Sequence, residues 1–251
     1  MSTNSAATPH NPLEGSRPEL SINLHTGTDE QVSIIIVHKD RPEYLNICLQ
    51  TIAVASFSNN YEVIVVDNNS GKDGQDFLDE IEGDVKVIRN DKNLYWSEAA
   101  NKGAEAADKN SKYFIFMHYD VAILNPSWID LLINVCDSQK SGMVGVEMKS
   151  YYLQQKKVDF ISEWLLMVTR ECWEECGPFH EKLPLIGHSF VLTLKAQNKD
   201  FKPQIMKNPI AHHYKHFSID INDWERLTES AMIMIPQIIQ EIQGDTLRKI
   251  L

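Results

Sequence analysis

VSIIIVHKDRPEYLNICLQTIAVASFSNNYEVIVVD, residues 32–67, decides the fold. Two β-branched runs, 32–37 and 62–67, bracket a segment that opens at Pro42. In that segment Tyr44, Leu45, Cys48, Leu49 and Ile52 recur at helical spacing. Strand, helix and strand in this order predict a crossover unit and a parallel pair. Each strand runs out into polar residues, His38-Lys39-Asp40-Arg41 after the first and Asn68-Asn69-Ser70-Gly71 after the second. A further apolar run, Tyr113 to Met117, ends the same way in His118-Tyr119-Asp120. In open α/β sheets, ligands collect beyond the carboxyl ends of strands, where strand order reverses. Carboxylates at two such ends, Asp67 and Asp120, suit a nucleoside diphosphate and its divalent ion.

The alternation continues outward from this core. Strand signals recur at 85–88 and 143–146. Ser97 reads as the N-cap of a helix through Ala107. Pro126 opens another, with Trp128, Leu131, Leu132 and Val135 on one face. The class is therefore α/β, with a mostly parallel sheet flanked by helices. Beyond residue 147 the alternation fails. Residues 149–160 read as a loop or hairpin, and 169–176 as a short helix ended by Gly177-Pro178. A final helix over 222–243 carries Trp224, Leu227, Ala231, Ile235 and Ile238 on one side, with Pro236 as a kink point. Residues 1–30, rich in Ser, Thr, Asn, Pro and Gly, read as a flexible arm. The expected layout is this arm, a domain over 31–220, and a C-terminal helical segment over 221–251 that offers a contact for a homo-oligomer.

A net charge of -11 argues against an open nucleic-acid or anionic-membrane surface, both of which need clustered Lys and Arg. No apolar run approaches a membrane span, and the N-terminus lacks the apolar core of a secretory signal. Cys48, Cys136, Cys172 and Cys176 read as buried thiols in a reducing cytoplasm.

At this level of detail the chain resembles a known group. Residues 32–70, with Arg41-Pro42-Glu43-Tyr44-Leu45 and Glu62 to Ser70, are similar to the opening of family 2 glycosyltransferases. Asn93 and Ala99-Ala100-Asn101-Lys102-Gly103 resemble that family's next signature, and Phe116 to Asp120 fall where its Asp-x-Asp motif belongs. Gly177-Pro178-Phe179-His180-Glu181 resembles its Gly-Gly-Phe-Asp-Glu segment. The Asn68-Asn69-Ser70 variant and the late His-x-x-x-x-Ser lean toward its rhamnosyltransferase-like branch. The resemblance implies a GT-A, Rossmann-like fold and transfer of a sugar from a UDP- or dTDP-linked donor. It also implies inverting chemistry with Mn²⁺ or Mg²⁺. The acceptor would be a glycan, a lipid-linked molecule or a small molecule.

The resemblance also assigns roles. Asp67 would accept a hydrogen bond from the nucleobase. His38, Asp40, Asn69 and Asn101 would line the donor site. Asp120 would serve the donor site through the divalent ion it holds, which neutralises the leaving diphosphate, with His118 in place of the motif's first Asp. His213, in the cluster His212, His213 and His216, would complete the metal site. The acidic base of the family is replaced by Gly187-His188-Ser189, so the base falls among His188, Glu181 and Asp159. The alternative is a degenerate site that binds a sugar nucleotide or glycan without transfer.

Overall fold

The structure, a computed structural model, describes residues 21–22, 32–56, 59–153, 156–215 and 221–243. Apart from Ser21–Ile22, a short strand parallel to Glu82–Gly83, the N-terminal arm lies outside the described residues. So do His216 and Ser218 of the late histidine pattern.

A seven-stranded sheet forms the centre. Val32–His38 lies in its interior, parallel to Tyr61–Asp67 on one side and to Tyr113–His118 on the other. Val85–Arg89 extends the parallel half. Leu165–Thr169 runs antiparallel between Tyr113–His118 and Met143–Gly145, and Gln204–Ile205 closes that edge. The expected mostly parallel α/β sheet, flanked by helices, is present.

Side chains alternate between faces of a strand. Ile34, Ile36, Val63, Val65, Ile115 and Met117 point toward the helices Pro42–Ala55 and Trp128–Gln139. Ile35, Val37, Ile64, Val66, Phe114 and Phe116 point toward Tyr95–Glu105 and His188–Asn198. Each large apolar side chain buried this way contributes about 1.5–3 kcal/mol. On the second face the helix sits so close that a Cβ at Gly103 would run into Ile35 and Val66. Glycine is what permits that approach.

Several boundaries differ from the expectation. The helix expected to begin after Ser97 begins at Tyr95. Asn93 Oδ1 accepts from the Tyr95 N–H at 2.9 Å, and Asn68 Oδ1 accepts from Leu94 N–H, so asparagines fix the first turn. Ser97 is buried one turn in and donates to the Leu183 carbonyl. The helix expected from Pro126 starts two residues later, at Trp128. The polar stretch after 147 is a hairpin, Met148–Leu153 against Lys156–Ile161. All four cysteines are free and buried.

The C-terminal helix, Ile221–Gln243, packs Leu227, Ala231, Ile235 and Ile238 inward as its spacing predicts. Ala231, Ile235 and Ile238 meet Leu183, Phe190, Val191 and Leu194 in a third apolar cluster. Among the described residues no helix is long and apolar enough to cross a membrane.

Candidate active site

Register brings the polar ends together. His38 pairs with Asp67, and Val37 with His118, so three adjacent parallel strands end side by side. The chain leaves Val32–His38 toward one neighbour and returns through Tyr95–Glu105 to the other, which makes this the switch point of the sheet. A cavity of about 490 Å³ opens there.

The two loops at its floor are tied to each other. Asp40 N–H donates to Ser70 Oγ at 2.7 Å, and Gly71 N–H donates to Asp40 Oδ1 at 2.7 Å. Asp40, Arg41 and Asn69 all have positive φ. Such strained residues persist only where surrounding bonds over-determine them. Asp67 is fully buried and faces this scaffold. Its carboxylate accepts from the Ser70 hydroxyl and backbone N–H, with His38 Nδ1 at 3.5 Å. Burial pushes its pKa up, but the bonds from His38 and Ser70 outweigh that and hold it below the usual carboxylate range. The residue that meets the cavity is its neighbour Asn68. Asn68 also donates to the Tyr95 carbonyl at 2.7 Å and so grips a fourth positive-φ residue, Tyr95, φ 57°.

His118, Asp120 and His213 converge on one point, with one potential ligand atom from each within 4.8 Å of the others. Asp120 Oδ1 lies 3.2 Å from His213 Nε2 and 3.9 Å from His118 Nδ1. A strand pair places His213, because Ala211–His213 runs antiparallel to Val121–Ile123 with His213 opposite Val121. Trp164 stacks on the His213 ring at 4.9 Å, and Trp96 lies against His118 at 4.6 Å. Burial brings the His118 pKa down to about 4, although the field of Glu163 opposes it. At neutral pH its imidazole is therefore neutral and keeps the lone pair a metal requires. Two imidazoles and one carboxylate fit a first-row transition ion better than Mg²⁺.

The other expected residues are placed elsewhere. His188 is buried and not on the cavity wall, stacked on Trp96 with Phe179 at its edge. Neither ring nitrogen has a hydrogen-bond partner among the described residues, and burial brings its pKa down to about 4 against the field of Glu163. Asn101 exchanges two 2.9 Å hydrogen bonds with the Phe179 backbone and so anchors the Gly177–Phe179 segment. Glu181 is exposed and off the cavity. Asp159 bonds Ser150 and Lys157 on the hairpin. Asn69 is exposed, and its carbonyl accepts from Lys39.

One residue absent from the sequence reading occupies the cavity wall. Glu163, on the turn between Lys156–Ile161 and Leu165–Thr169, accepts from Ser189 Oγ at 2.9 Å. Burial works against its ionisation, but His188, His118 and Lys149 outweigh burial and bring its pKa down to about 2. No motif surrounds Glu163, and its partner is 26 residues away in sequence. Only the fold reveals the pair. Lys39, Lys149 and Lys215 add positive charge to the cavity, and Tyr95, Trp96, Phe160 and Trp224 add aromatic surface.

The chain is similar to several known proteins. It is 27% identical over 122 residues to the O-antigen biosynthesis protein RfbC of Myxococcus xanthus, a stretch covering 47% of this chain and 9% of that protein. Its fold matches a mannosyltransferase of Pyrobaculum calidifontis in complex with GDP-Man and Mn²⁺, with a TM-score of 0.60 at 11% identity over 79% of this chain and 60% of the other. It also matches GalNAc-T7 with UDP, GalNAc and Mn²⁺, with a TM-score of 0.62 at 14% identity over 80% of this chain and 48% of the other. The sequence profile of glycosyl transferase family 2 matches residues 33–176, more than half of the chain, and the chain belongs to that family.

Proposed function

We propose that the chain transfers a hexosyl or deoxyhexosyl group, rhamnose among them, from a nucleoside-diphosphate sugar to a hydroxyl acceptor. Configuration would invert at the anomeric carbon. The observation that carries this reading is the convergence of His118, Asp120 and His213 on a cavity at the switch point of a GT-A sheet. Those three residues would hold Mn²⁺. When bound, the ion supplies charge neutralisation for the departing diphosphate. The surrounding lysines act in the same direction by favouring phosphates in the cavity. Asn68 and His38 would flank the base of a UDP or dTDP moiety, with Asp67 acting through the loop it braces. Aromatic walls at Trp96 and Trp224 suit the apolar faces of a sugar ring. The four buried thiols suit a reducing cytoplasm. The exposed Met232 and Ile233 on the C-terminal helix would be the contact in a homo-oligomer.

A second reading keeps donor binding but not transfer. It is favoured by His188-Ser189 standing where the family carries its acidic base. Calorimetric titration of UDP tests the shared part of both readings. Mn²⁺ should tighten UDP by at least about tenfold, 1.4 kcal/mol, and EDTA should reverse the gain. Affinity indifferent to both Mn²⁺ and EDTA would remove the metal from the account.

A further inference from the structure

The structure assigns the general base of the transfer to Glu163, held in place by Ser189; this assignment rests on the glycosyltransferase reading. Among the described residues three carboxylates line the cavity, Asp120, Glu147 and Glu163. Asp120 lies between the two imidazoles of the metal triad. Glu147 accepts from Trp164 Nε1 at 2.7 Å and pairs with Lys149 at 3.9 Å, which commits it to those two partners. Glu163 remains, on the turn between two strands, with one carboxylate oxygen 2.9 Å from Ser189 Oγ.

A base must come within hydrogen-bond reach of the proton it removes. That requirement counts against His188, whose ring is sealed between Trp96 and Phe179. It also counts against Glu181 and Asp159, which lie off the cavity wall. Ser189 is a positioning residue. It sits in the first turn of His188–Asn198, where the resemblance leads one to expect the acid, and its hydroxyl instead reaches across to Glu163. The carboxylate has in effect moved from the helix to the facing turn, with Ser189 orienting it.

The step balances without a further reactant. The acceptor hydroxyl oxygen forms a bond to the anomeric carbon. The bond from that carbon to the phosphate oxygen breaks, and its electron pair leaves with the nucleoside diphosphate. The hydroxyl proton passes to Glu163 and then to solvent. With water as acceptor the same step is donor hydrolysis, which needs no knowledge of the natural acceptor.

The test follows nucleoside diphosphate release from UDP-glucose, UDP-N-acetylglucosamine, GDP-mannose and dTDP-rhamnose with Mn²⁺, together with calorimetric UDP affinity. For any donor the wild type consumes, Glu163→Gln should lower kcat by about 10²–10⁴-fold and leave UDP affinity within about threefold. Glu163→Asp should retain part of the rate. Ser189→Ala should lower kcat less than Glu163→Gln, with KM unchanged. If Glu163→Gln matches the wild-type rate, or loses UDP binding in step with rate, the assignment is overturned while the transferase reading stands. If the wild type binds UDP and consumes no donor, the transferase reading falls and Glu163 falls with it.

Discussion

Asp120→Ala is expected to abolish the Mn²⁺ dependence of UDP binding. Its Oδ1 is the atom that lies near both imidazoles, 3.2 Å from His213 and 3.9 Å from His118. Without it the two rings, set edge to face with centroids 5.2 Å apart, lose the carboxylate that completes the triad. Loss of residues that merely orient metal ligands costs 10–100-fold in metal affinity, so removal of a ligand should cost at least about 10²-fold. UDP titrated with and without Mn²⁺ gives the coupling directly. The variant's two curves should coincide, and its metal-free affinity should match the metal-free wild type. Asp120→Asn, which preserves shape but not charge, should behave likewise. A Mn²⁺ response that survives in Asp120→Ala would place the ion elsewhere.

His188→Phe should stabilise the chain increasingly as pH falls from neutral to about 4. In the folded state burial holds His188 near pKa 4, against 6.5 for an unperturbed histidine. Between those values the unfolded chain binds a proton that the folded chain refuses. Stability therefore falls as pH drops through this window, by about 1.4 kcal/mol per unit. The total for His188 is roughly 3 kcal/mol by pH 4. Phenylalanine keeps a ring against Trp96 and Phe179 and does not titrate. Urea denaturation of both chains at intervals from pH 7 to 4, in EDTA, measures the difference. A gap that stays constant across this range would mean that the His188 ring is not desolvated.

The parallel half of the sheet was legible because its strands are apolar on both faces. Ile34–Ile36 and Val63–Val66 read as continuous runs, and the helices between them show clear stripes. Elements without that contrast were missed. Lys72–Asp79 buries only Gly74 and Leu78, too little for a stripe. His188–Asn198 is buried nearly all round, so it shows a run without a period. In the site, His118 and Asp120 were visible because they adjoin in sequence at a strand end, and His213 because histidines cluster there. Asp67 was visible as a strand-end carboxylate, but its orientation was not. A hydroxyl three residues on, Ser70, turns it inward. Glu163 was invisible because a turn brings it to Ser189, and turns leave no periodic trace. For His188 the sequence shows the segment and not the burial. It occupies the right segment, but Trp96 and Phe179 cover its ring.

Donor turnover tests the central claim most directly. Purified chain with Mn²⁺ and each of UDP-glucose, UDP-N-acetylglucosamine, GDP-mannose and dTDP-rhamnose should release nucleoside diphosphate from at least one donor. That release should vanish in Asp120→Ala. UDP binding with no release from any donor would contradict a transferase and leave a protein that only binds sugar nucleotides.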